Sequence, residues 1–99
     1  MKLLIQSVNF DATEKLEAYI NKKIKKRERI FDDIMTMNMY LKVVKPETVS
    51  NKQAEIKATA PGVEFFASKT CDTFEEAIDL GLTAIEKQVL KYKKKSAKK

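Results

Sequence analysis

The chain has 99 residues, 43% of them hydrophobic and 34% charged, which suits one soluble globular domain with a single modest core. Its formal net charge of +6 favours an acidic partner, nucleic acid before anionic membrane. With no histidine, one cysteine and two glycines, it lacks the parts of His-dependent nucleophiles, Cys/His metal sites, the P-loop and the dinucleotide fingerprint.

No apolar run approaches the roughly 20 residues needed to cross a bilayer, and the opening Met1–Gln6 turns polar too early for a secretory segment. The lone Cys71 has no partner for a disulfide or a metal and fits a reducing compartment. These features lead to the expectation of a cytoplasmic protein that is not an enzyme, needs no cofactor and binds no small-molecule substrate or membrane.

Lys2–Val8 reads as a strand, with Leu3 and Ile5 on one face and Leu4 opposite. Phe10 is expected under the following helix, which starts from either an Asp11–Glu14 capping box or Thr13 as N-cap. That helix is predicted from Glu14 to Ile30. Leu16, Ile20, Ile24 and Phe31 share one stripe, while Lys15, Lys22, Lys26 and Arg29 lie opposite with Lys25 beside them. Residues 13–31 hold seven Lys/Arg against three Glu, so the ridge is more than an ordinary solvated face and reads as polyanion-facing. Arg27 sits on the apolar stripe, where its stem can pack while its guanidinium reaches the edge and adds to the ridge.

Ile34–Val44 is the longest predicted strand, with Met35, Met37, Met39, Leu41 and Val43 as core filler and Thr36, Asn38, Tyr40 and Lys42 opposite. A polar loop, Lys45–Asn51, stops it at Pro46. Lys52–Ala60 follows, burying Ala54, Ile56 and Ala58, and Pro61-Gly62 turns the chain into a fourth strand, Val63–Thr70. A second helix begins at Asp72 or Thr73 with the stripe Ile78, Gly81, Leu82, Ile85, Val89 and Tyr92. Gly81 in mid-stripe implies close approach to the sheet or the first helix. From Lys87 to Lys99 there are seven lysines and no acid, more than the helix dipole can use. Lys87, Lys91, Lys94 and Lys98 form a second ridge.

The order β-α-β-β-β-α specifies an α+β fold: a four-stranded mixed sheet with two helices on one face, since only two apolar stripes exist to cover it. Residues 1–95 form the single domain, and 96–99 a frayed basic tail. Side-by-side helices would merge the two ridges into one strip, leaving the other sheet face largely wet around Thr36, Tyr40, Gln53, Glu55 and Glu64.

Several short segments, Ala12–Leu16, Tyr19–Ile24, Glu28–Asp32, Ala54-Glu55, Pro61-Gly62, Glu64–Ala67, Ala77–Asp79 and Ile85–Gln88, occur in an order and spacing that resembles the ribosome hibernation promoting factor family. This family is also called ribosome-associated translation inhibitor, protein Y or sigma-54 modulation protein. The resemblance implies a fold like the double-stranded-RNA-binding domain. It also implies binding to rRNA of the small ribosomal subunit, in the channel of tRNA and mRNA, and silencing of translation in stressed or stationary bacterial cells; off the ribosome the protein is expected to be a monomer. It implies RNA contacts from Lys22, Lys23, Lys26 and Arg29 in the first helix and Lys87, Lys91 and Lys93 in the second, to which the second ridge adds Lys94. The chain departs from the family at Ser7–Asn9, where a glycine and a basic residue are common, at Phe74-Glu75, where Met-Tyr is frequent, and at Arg27, where leucine stands. It reads as a short form without the dimerising domain of longer members.

The alternative is a stand-alone double-stranded-RNA-binding module with a non-ribosomal target. A protein-interaction module on the open face around Tyr40 ranks below it, because that face reads as too polar for an interface anchor. Carboxylate chemistry at Glu55 or Glu64 comes last.

Overall fold

A computed structural model describes residues 1–8, 13–44 and 50–96. The elements are β1 (Lys2–Val8), α1 (Glu14–Lys25), β2 (Thr36–Val43), β3 (Lys52–Ala60), β4 (Val63–Cys71) and α2 (Phe74–Ser96). The sheet order is β1-β2-β3-β4, with β1 parallel to β2 and the other pairs antiparallel. The expected order and mixed sheet are therefore present. The expectations for Phe10, Asp11, residues 45–49 of the polar loop and residues 97–99 of the tail fall outside the described residues.

Alternation decides which face is covered. Met37, Met39 and Leu41 of β2 and Ala54, Ile56 and Ala58 of β3 are wholly buried, and Phe65 and Ala67 of β4 nearly so. Their neighbours in sequence point to the other face. Leu16, Ile20 and Ile24 of α1 join Ile78, Leu82, Ile85 and Val89 of α2 in the same apolar cluster. Fully burying one such side chain contributes about 1.5–3 kcal/mol, so apolar contact, rather than any charge pair, docks the helices. α2 lies across β3 and β4 and beside α1.

Local chemistry sets the boundaries. Thr13 is the N-cap of α1, its hydroxyl accepting from the Leu16 N–H at 3.1 Å, and Thr73 caps α2 in the same way through the Glu76 N–H. Of the cap candidates Thr73 and Asp72, it is Thr73 that caps α2. Gly62 has φ 76°, the left-handed value that the third position of the Pro61-Gly62 turn requires.

Three expectations change. Regular helix α1 stops at Lys25 rather than Ile30, and the chain continues in turns to Asp33. There the Arg27 N–H bonds back to the Ile24 carbonyl, while the Arg27 guanidinium takes the Lys23 carbonyl that this N–H would otherwise reach. Met35 lies outside β2 and is 51% exposed. Ile34, held by its N–H to the Phe31 carbonyl, takes the inward place. The open sheet face is less polar than expected, since Leu4, Val8 and Phe66 are exposed there in the same layer as Tyr40.

Gly81 brings α2 onto β3: a Cβ there would lie 2.8 Å from Ile56 Cδ1, in a wholly buried place. Alanine favours a helix over glycine by about 1 kcal/mol, and overpacking costs about 1–3 kcal/mol. Gly81→Ala is therefore expected to be neutral to destabilising, by up to about 2 kcal/mol, in urea unfolding. Ile56→Val removes the clashing methyl group, so the double variant should be more stable than the two single effects add up to. Additive energies would contradict the close approach.

Candidate nucleic-acid interface

Each helix is divided by its 3.6-residue period into three faces. In α1, Leu16, Ile20 and Ile24 point to the sheet, Tyr19 and Lys23 point to α2, and Lys22 projects outward; Arg27 extends the α2-facing side and Lys26 and Arg29 the outward side past the helix end. Glu14, Glu17 and Glu28 occupy the flank away from α2. In α2, Ile78, Leu82, Ile85 and Val89 face the sheet, Asp79, Thr83 and Glu86 face α1, and Lys87, Lys91 and Lys94 face outward. Gln88 turns to the edge of β4, where its amide accepts from the Phe66 N–H and donates to the Phe66 carbonyl at 2.7 Å, occupying that point of the sheet edge.

The seam between the helices is an acid–base network. Arg27 Nε donates to Glu86 Oε1 at 2.9 Å, one terminal nitrogen reaches Thr83 Oγ1 at 3.2 Å and lies 3.7 Å from Asp79, and the other donates to the Lys23 carbonyl at 2.9 Å. Lys23 Nζ is 3.6 Å from the same Asp79 and 5.4 Å from the Tyr19 ring centre. The Tyr19 hydroxyl spans the seam to the Glu75 carbonyl. Further along, Lys93 Nζ is 2.7 Å from Asp32 Oδ1, and Tyr92 stands edge-on to Phe65.

The eight proposed RNA-binding residues therefore divide into two groups. Lys22, Lys26, Arg29, Lys87, Lys91 and Lys94 are exposed on the outer side of the helical layer and make no ion pair among the described residues. Lys23 and Lys93 are turned towards acids and hold the layer together. Arg27 does not add to the ridge as expected, because its side chain is 13% exposed and its charge is spent on Glu86 and Asp79. Sequence reasoning missed the seam because its partners lie 56 and 59 residues apart. The signal that could have found it is Asp79, Thr83 and Glu86 spaced along one side of α2, opposite an arginine on the edge of the α1 stripe.

Length gives this layer its reach. α2 has 23 residues and spans about 34 Å at 1.5 Å per residue, and the molecule measures 50 × 23 × 20 Å. The open sheet face carries Lys2, Lys42 and Lys57 against Glu55 and Glu64, with Lys57 paired to Glu64 at 3.5 Å. On the outer helical side Lys22, Lys26, Arg29, Lys87, Lys91 and Lys94 stand without an ion pair among the described residues. No cluster of three metal-ligating side chains occurs among the described residues. Burial, with the Glu76 and Asp72 carboxylates nearby, pushes the Cys71 thiol up, so it stays protonated at neutral pH. Among the described residues no helix is long and apolar enough to cross a membrane.

The hydrogen bond from Lys93 and its charge hold the Asp32 carboxyl below the ordinary aspartate range. A lowered value means that the pair stabilises the fold above the ordinary range and is lost as pH falls through the lowered one. NMR titration of the Asp32 carboxyl carbon should give a midpoint below the ordinary value in the native protein and a higher one in Lys93→Gln. Equal midpoints would show that the pair does not form in solution.

Residues 3–97 match the family model described as Sigma 54 modulation protein / S30EA ribosomal protein. A ribosome hibernation promotion factor of Picosynechococcus is 32% identical over 98 residues, covering 97% of this chain and 51% of that protein. One from Staphylococcus aureus is 35% identical over 91 residues, covering 90% of this chain and 46% of that protein. The chain thus spans about half the length of these relatives. Among solved structures, a ribosomal subunit interface protein from Coxiella burnetii superposes with a TM-score of 0.85 at 22% identity, over 94% of this chain and 98% of that one. The N-terminal domain of Thermus thermophilus protein Y gives 0.78 at 22% identity, over 93% of this chain and 99% of that one. At that identity the two share the fold.

Proposed function

Because the chain belongs to the Sigma 54 modulation protein / S30EA ribosomal protein family, we propose that it is a ribosome hibernation factor. On this reading it binds rRNA of the small ribosomal subunit in the tRNA and mRNA channel, acts as a monomer in the bacterial cytoplasm and inhibits translation in stress or stationary phase. The observation that carries the reading is the outer helical face, where six cations from both helices stand without acid partners among the described residues. The names of the relatives point the same way. No chemistry is required. Cations on a rigid surface neutralise phosphates and release their counterions, while the shape of the domain selects the channel it occupies. Lys22, Lys26, Arg29, Lys87, Lys91 and Lys94 are assigned the phosphate contacts. Lys23 and Lys93 are assigned support of that surface.

Binding to vacant small subunits is expected to weaken steeply with salt, by about 0.7–0.9 in log–log slope per phosphate contact. Changing Lys22, Lys26, Lys87 and Lys91 together to glutamine should lower that slope by about 3 and relieve inhibition of translation in a cell-free assay. Unchanged binding by this variant would remove the assignment. A plain RNA duplex that competes better than vacant subunits would replace the ribosomal reading with that of a general double-stranded-RNA binder.

A further inference from the structure

Arg27 carries an inference that rests on the RNA-binding reading and deepens it. It is half-buried in the seam, and all three guanidinium nitrogens are occupied by different groups: Glu86, Thr83 with Asp79, and the Lys23 carbonyl. A planar fork can serve these directions at once, whereas a lysine ammonium offers a single point charge. Lys23, Arg27, Asp79 and Glu86 together sum to zero charge, so the seam is neutral. Packed helix axes lie about 8–10 Å apart, comparable to the Debye length of about 8 Å at physiological salt. A seam carboxylate without its arginine would therefore repel any phosphate held by the flanking lysines.

We propose that Arg27 is a positioning residue of the RNA-facing surface. Together with Lys23 it neutralises Asp79 and Glu86 between the helices and fixes their spacing, so that Lys22, Lys26 and Arg29 act with Lys87, Lys91 and Lys94 as one positive surface. Arg27 itself touches no phosphate. Its effect on binding is thus distinct from that of a ridge lysine.

The test measures affinity for vacant small subunits by fluorescence anisotropy across a salt series, with thermal unfolding of each variant in parallel. Lys91→Gln removes one assigned phosphate contact, which is worth about five- to eightfold at 0.1 M salt for a slope of 0.7–0.9. Arg27→Gln is expected to weaken binding by more than Lys91→Gln. The charge-neutral double variant Arg27→Gln/Glu86→Gln should recover most of that loss. If Arg27→Gln proves unfolded, Glu86→Gln alone decides, and it should tighten binding more than Glu17→Gln, which removes an exposed acid from the far flank of the first helix. The proposal is overturned if Arg27→Gln costs no more than Lys91→Gln, if the second change restores stability without restoring affinity, or if Glu86→Gln and Glu17→Gln are equivalent. Failure of the four-lysine variant to weaken binding would instead remove the RNA-binding reading beneath it.

Discussion

Covering only one face of a four-stranded sheet is the constraint from which the rest follows. Strand alternation sends Met37, Met39, Leu41, Ala54, Ile56 and Ala58 to one side, and all six are wholly shielded from water. The helices offer two apolar stripes, so both must lie on that side, next to each other. Whatever stands opposite their stripes then faces outward together. A positively charged surface made from two helices is in this sense a consequence of core packing, with no need for the lysines to attract one another.

Cationic ridges side by side repel, and acids in the seam offset this. Asp79 and Glu86 meet Lys23 and Arg27, and Asp32 meets Lys93. Exposed pairs of this kind contribute little stability, whereas Arg27, half-buried and hydrogen-bonded at each guanidinium nitrogen, is costly to leave without its partners. Apolar contact supplies the energy of docking and the ion pairs set the register of one helix against the other. Two of the eight cations assigned to RNA from the sequence, Lys23 and Lys93, thus also take part in ion pairs within the fold.

Much of this was legible in the chain itself. Periodicity located β1, β3 and the stripe of α2, and the mid-stripe Gly81 signalled a close approach that proves to be to Ile56. Local signals were weaker where two options competed, as at the start of α2, where Thr73 prevails over Asp72. Non-local features were illegible. Arg27 looked like a ridge residue because the acids that claim it come more than fifty residues later. Where α1 ends, the Lys23 carbonyl accepts from the Arg27 guanidinium, while the Arg27 N–H bonds to the Ile24 carbonyl. Alternation in β4 allows only one of Phe65 and Phe66 inside, so Phe66 stands with Leu4 on the open face.

The central claim is that the protein meets its partner through the outer helical layer and not through the open sheet. Lysine-selective acylation of the free and subunit-bound protein, read by mass spectrometry, tests it most directly. The account predicts that Lys22, Lys26, Lys87, Lys91 and Lys94 lose reactivity on binding while Lys2, Lys42 and Lys57 keep theirs. Protection of Lys2, Lys42 and Lys57 with the helical lysines still reactive would contradict it.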